Sequence, residues 1–155
     1  MQKLNLILLA LYSLSLIACS GMTSEPAPDP ADAFVGYYEV STIENVTWGS
    51  SSGTINNTSE MYIDKLSSNR VQAYGYISTE GEIVGNKVYF EPHSITDSKY
   101  GYLNYVYDEG VLNGNVLTLS SVMTGQLSEK EYGTKYPVRS TIKIIAIKGE
   151  IKTSD

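Results

Sequence analysis

The chain has very little of what most metal and redox sites are built from: one Cys and one His among 155 residues. A structural zinc site wants about four thiolate or imidazole ligands, so that class is set aside. A single Cys also excludes an intramolecular disulfide. Basic charge is scarce as well, with 11 Lys and Arg against 17 Asp and Glu and a formal charge of −6. With no basic surplus to displace counterions, sequence-independent nucleic-acid binding is not expected. Phe and Trp are rare, at 2 and 1, whereas Tyr reaches 13. Hydrophobic residues make up 42 %, enough for a core and too many for a disordered chain.

The N-terminus looks like an address. Lys3 is followed by an apolar run over residues 4–18, broken only by Asn5, Ser13 and Ser15. A membrane-spanning helix needs about 20 residues, so this shorter run fits the apolar region of a signal peptide. It ends in Leu16-Ile17-Ala18-Cys19, which resembles a bacterial lipobox. That resemblance implies cleavage before Cys19, diacylglycerol on its thiol and acylation of the new amine. Two or three acyl chains satisfy the rule that stable anchoring takes more than one lipid signal. The alternative is an ordinary secretory signal with an incidental Cys. Ser20 rather than Asp follows Cys19, which resembles the sorting pattern of an outer-membrane lipoprotein, with the periplasmic face preferred over the cell surface. Residues 19–33 carry Pro26, Pro28 and Pro30 among small and acidic residues. Such a stretch favours polyproline II and reads as a tether, residues 20–33 reaching at most about 43 Å at about 3.1 Å per residue.

Residues 34–150 read as one all-β domain, with 151–155 as a tail. Period-two alternation and turn residues dominate over any 3.6-residue period. Strands are expected over 34–47 (with a bend near Asn45), 59–66, 70–78, 82–84, 87–91, 100–108, 116–122 and 138–148. In the third, Tyr74 and Tyr76 fall on one face. In the last, Val138, Ser140, Ile142, Ile144 and Ala146 share a face, and Ile145 and Ile147 suggest burial on the other side too. Gly81-Glu-Ile-Val-Gly-Asn-Lys-Val-Tyr-Phe90 repeats as Gly110-Val-Leu-Asn-Gly-Asn-Val-Leu-Thr-Leu119. Each copy centres on Gly-Asn, a two-residue turn whose residues both tolerate positive φ. A repeated hairpin and a long final strand able to pair with the first favour an antiparallel up-and-down β-barrel of about eight strands. A two-sheet β-sandwich is the alternative.

The lipobox, the Phe34-Val35-Gly36-Tyr37-Tyr38 opening, the two Gly-Asn turns and the closing Ser140–Ile147 strand together resemble the small calycin-like, lipocalin-like lipoproteins of Gram-negative gut bacteria. The resemblance covers roughly residues 34–150. It implies an eight-stranded barrel with a central cavity and carries no catalytic residues over. Gly36-Tyr37-Tyr38 stands where lipocalins have Gly-X-Trp, a departure that weakens the transfer of classical lipocalin ligand binding.

Candidate chemistry is sparse. Gly49-Ser50-Ser51-Ser52-Gly53 matches a nucleophile-elbow string, but no helix pattern follows it, so a Gly/Ser loop is expected. Ser51, Asp64 and His93 would stand in triad order. His93 follows a strand and reads as a loop histidine, with Glu91 or Asp97 as acidic neighbours. Asp108-Glu109 lacks the spaced oxygens of a calcium loop. No metal site, cofactor or catalytic set is expected. The tyrosines are the distinctive feature, since each joins an apolar body to a polar tip. Tyr74, Tyr76, Tyr89, Tyr105 and Tyr107 are the candidate ligand-binding set, with Tyr100 and Tyr102 on the opposite face from Tyr105 and Tyr107. The structural alternative is simple cross-strand packing. Three functions follow: a membrane-anchored module binding a small amphipathic or hydrophobic ligand; an accessory envelope protein docking on another component; and a hydrolase using His93. The first is preferred. The partners expected are therefore the lipid bilayer, a small amphipathic ligand or an envelope protein.

Overall fold

The computed structural model describes residues 27–97, 101–127 and 136–149. The signal segment, Cys19, most of the tether, Tyr100 and the 151–155 tail lie outside them.

Alternating apolar and polar residues between Gly, Asn and Ser turns bury every second side chain when paired as antiparallel strands. Ten strands do so: β1 (Gly36–Trp48), β2 (Ser51–Ser67), β3 (Arg70–Gly75), β4 (Glu80–Val84), β5 (Lys87–Phe90), β6 (His93–Asp97), β7 (Gly101–Tyr107), β8 (Gly110–Asn113), β9 (Val116–Leu127) and β10 (Tyr136–Lys148). All belong to one antiparallel sheet. β5 and β6 follow one another across Glu91-Pro92, and β7 and β8 across Asp108-Glu109. β5 pairs with β8 and β6 with β7, so each of these successions is one wall strand broken midway. Pro92 has no N–H for a ladder, which suits it to the break. The wall is thus a meander of β1, β2, β3, β4, β5–β6, β7–β8, β9 and β10. It closes where β10 pairs with both β9 and β1. The fold is an antiparallel up-and-down barrel, and the two-sheet alternative is set aside.

The barrel has two tiers. The lower is closed all round and packed solid with Tyr38, Val40, Ile63, Val71, Val88 and Leu117, among others. A 3₁₀ turn, Pro30–Ala33, covers its end. Ala31 and Phe34 are fully buried there. Lys65 on β2 holds the turn by ion pairs to Asp29 at 2.7 Å and Asp32 at 2.8 Å. The folded domain therefore begins within the stretch read as tether. The upper tier is incomplete. β1, β2, β9 and β10 run 12 to 17 residues, but β3 and β4 have only 6 and 5. Above β3 and β4 the wall stops. Residues 51–60 of β2 pair with β1 alone, and β6 pairs with β7 alone, leaving a window between β2 and β6.

Several local expectations need correction. β2 begins at Ser51 rather than at residue 59, because the β1 ladder extends it unbroken from Gly36↔Ile63 to Trp48↔Ser51. The same register passes through Asn45 without a shift. The third strand stops at Gly75, where φ is +92°. At the Gly-Asn turns only Gly85 and Gly114 take positive φ, +63° and +61°, and the asparagines do not, as in a type II′ turn. On the outer face of β10's end Ile145 is half-buried and Ile147 exposed, so that face is covered only in part.

Candidate functional site

The missing wall leaves a cavity of about 530 Å³ in the upper tier. Glu44 enters it from β1 and Ile55 from β2. Gly75, Tyr76 and Ser78 lie where β3 ends, His93 and Ile95 come from β6, and Tyr105 and Tyr107 from β7. Ser121, Met123 and Ile142 complete it from β9 and β10. Alternation explains the selection: β1 turns Val40, Thr42, Glu44 and Val46 inward, and β10 turns Ser140, Ile142 and Ile144 inward.

Three of the five candidate tyrosines meet here. Tyr76, Tyr105 and Tyr107 line the cavity. Tyr74 does not, because the positive φ at Gly75 breaks the alternation and sends Tyr74 and Tyr76 to different sides. Tyr89 lies on the outer surface, where its hydroxyl donates to Glu109 at 2.8 Å. Tyr102 faces outward, opposite Tyr105 and Tyr107 as expected from alternation.

His93 is not a loop residue. It opens β6, opposite Tyr105 on β7. Its ring stacks on Tyr105 at 5.1 Å with planes 7° apart, and on Tyr107 at 5.7 Å with planes 13° apart. The Tyr107 hydroxyl lies 3.2 Å from His93 Nδ1. Burial pulls the imidazole below its ordinary value, favouring the neutral ring. Tyr107 also packs edge-on against Phe90 at 6.1 Å, which ties this aromatic stack to the closed core.

The tyrosine hydroxyls are kept protonated. Burial raises Tyr76, Tyr105 and Tyr107 above the ordinary phenol value. The charge of Glu44 raises Tyr76 and Tyr105 further. Beside them, Ser121 Oγ and Ser140 Oγ are buried without a hydrogen-bond partner among the described residues. An unpaired buried hydroxyl costs about 1–3 kcal/mol, so these are notable groups, and Ser121 lines the cavity.

Sequence reasoning missed Glu44 and Ser121. The available signal at Glu44 was a carboxylate at a position where β1 alternation calls for an apolar residue. The other sequence candidates separate. Gly49, at φ +56°, lies in the β1–β2 turn, and Ser51 pairs with Trp48 at the rim. Asp64 pairs with Gln72 in the lower tier, so Ser51, Asp64 and His93 do not converge. Glu91 is engaged by Arg70 at 3.0 Å rather than by His93, and Glu109 by Lys87 at 2.9 Å. Among the described residues no cluster of three His, Cys, Asp or Glu could hold a metal ion.

No protein-family model matches the chain, and no curated protein or solved structure matches it significantly.

Proposed function

We propose that the protein is a lipid-anchored envelope lipoprotein, calycin-like in type, whose barrel binds a small amphipathic ligand in its open tier. The observation that supports this most is the cavity itself. Its volume falls in the range of small-molecule pockets, about 300–1,000 Å³. Its lining joins Ile55, Ile95, Met123 and Ile142 to the polar tips of Tyr76, Tyr105, Tyr107 and Ser121, the apolar-with-few-polar pattern of ligand sites. The window between β2 and β6 gives a route in. The lipobox ending in Cys19 carries the anchoring half of the reading, at the outer membrane and its periplasmic face.

Native mass spectrometry of the full chain, purified gently from bacterial membranes, tests the binding half. A stoichiometric adduct on the wild type, lost on Tyr105→Leu, supports it. A clean apo mass, with no heat on titration with fatty acids, bile acids or oligosaccharides, counts against it.

One observation favours a second reading, an accessory protein that docks through its outer face. Tyr37, Tyr62 and Tyr74 stand in register across β1, β2 and β3 on that face. Tyr62 and Tyr74 are exposed. Crosslinking in intact cells that traps a neighbour in the wild type, but not in a Tyr62→Ser/Tyr74→Ser double variant, would favour it.

A further inference from the structure

We propose that the cavity takes an organic cation, an amine or quaternary ammonium group carried on an apolar body. The inference rests on the ligand-binding reading above and names the ligand class of that same site.

Charge carries the argument first. Among the described lining residues Glu44 is the one carboxylate, and none is Lys or Arg. Among the described residues every ion pair lies elsewhere, at Lys65, Arg70 and Lys87, and none includes Glu44. Glu44 is half-buried, so a cationic ligand gives its carboxylate a partner where a neutral one does not. A fatty acid or bile acid would bring a second negative charge beside it.

Aromatic chemistry points the same way. A ring face attracts a cation, with gains of about 0.5–2 kcal/mol that grow with desolvation. Glu44, Tyr76 and Tyr105 line the same cavity, so carboxylate and aromatic groups face one ligand space. His93 adds no competing positive charge near neutral pH, since burial lowers its proton affinity. Ile55, Ile95, Met123 and Ile142 then take the apolar body. Carboxylate, aromatic groups and an apolar wall together select a cation with a hydrophobic tail.

Three compounds of matched size test this: 2-phenylethylammonium, 2-phenylethanol and phenylacetate, titrated calorimetrically into the full chain in a nonionic detergent. The expected result is saturable binding of the cation, at least tenfold tighter than the alcohol, with phenylacetate weakest. Glu44→Gln should cost the cation about tenfold and the alcohol far less, in a variant that keeps the wild-type circular dichroism spectrum. Tyr105→Leu should weaken both. Equal affinity for cation and alcohol, or a preference for phenylacetate, overturns the cation assignment while leaving a binding cavity in place. Binding of none of the three also overturns it, and the separate native mass measurement then decides whether the cavity binds anything. Loss of cation binding on Tyr105→Leu with none on Glu44→Gln would likewise contradict the role given to Glu44.

Discussion

At the scale of single residues, the barrel combines a solid end with an open one, and the same residue types behave differently in each. Tyr38 is fully buried in the closed tier, its hydroxyl donating to the Phe34 carbonyl at 2.7 Å. Burial pushes that phenol up to about 12. Tyr38→Phe should cost about 1 kcal/mol, since the Phe34 carbonyl loses its donor, and lower the thermal midpoint by a few degrees. In the open tier, Ser121→Ala should leave stability equal or raised, because it removes a buried hydroxyl without a partner among the described residues. Thermal melts of the two proteins would show it. His93 gives a pH prediction. Its folded-state proton affinity lies below the unfolded value of 6.5, so below that pH the unfolded chain binds more protons. Its contribution to stability is complete above about pH 6.5 and is lost as pH falls through the window beneath it. Wild type should therefore lose more stability than His93→Gln between pH 7.5 and 5.5, and an equal loss would refute this.

At the scale of elements, the internal repeat turns out to be a packing device as well as a turn signal. The two hairpins lie side by side, with β5 paired to β8 through Val88↔Gly110. Val88 is pinched between the two opening glycines. A Cβ on Gly81 would come within 2.9 Å of the Val88 side chain, and one on Gly110 within 2.8 Å. Gly81→Ala or Gly110→Ala should cost about 1–3 kcal/mol by overpacking, and Val88→Ala should partly rescue either one in a double-mutant melt. The Gly-Asn turns, the inward face of β10 and the opposed faces of β7 were legible because alternation and turn chemistry are local. The first half of β2 was not, since Ser51–Ser59 has a single large apolar residue, Ile55, and owes its strand to β1 beside it. His93 was misplaced because Pro92 imitates the end of a strand while the wall continues past it into β6. Tyr74 and Tyr76 looked alike in sequence, and Gly75, turning between them, separates them.

At the scale of the whole molecule, an eight-path meander with two short members explains why a cavity exists at all. β3 and β4 end early, the wall opens above them, and the side chains turned inward there have no opposite wall to pack against. The candidate site was half legible in sequence: the tyrosines announced themselves, whereas Glu44 and Ser121 gain meaning only once the barrel brings β1 and β9 to one cavity. On the lipoprotein reading, Cys19→Ala should abolish incorporation of labelled fatty acid without changing the domain's melting behaviour, which metabolic labelling and circular dichroism would check. The most direct test of the central claim is to fill the cavity and watch binding. Ser121→Phe and Met123→Trp should each keep the wild-type circular dichroism spectrum and abolish capture of the adduct seen by native mass spectrometry on the full chain. Capture that survives in both folded variants would show that the ligand sits elsewhere and would contradict the account.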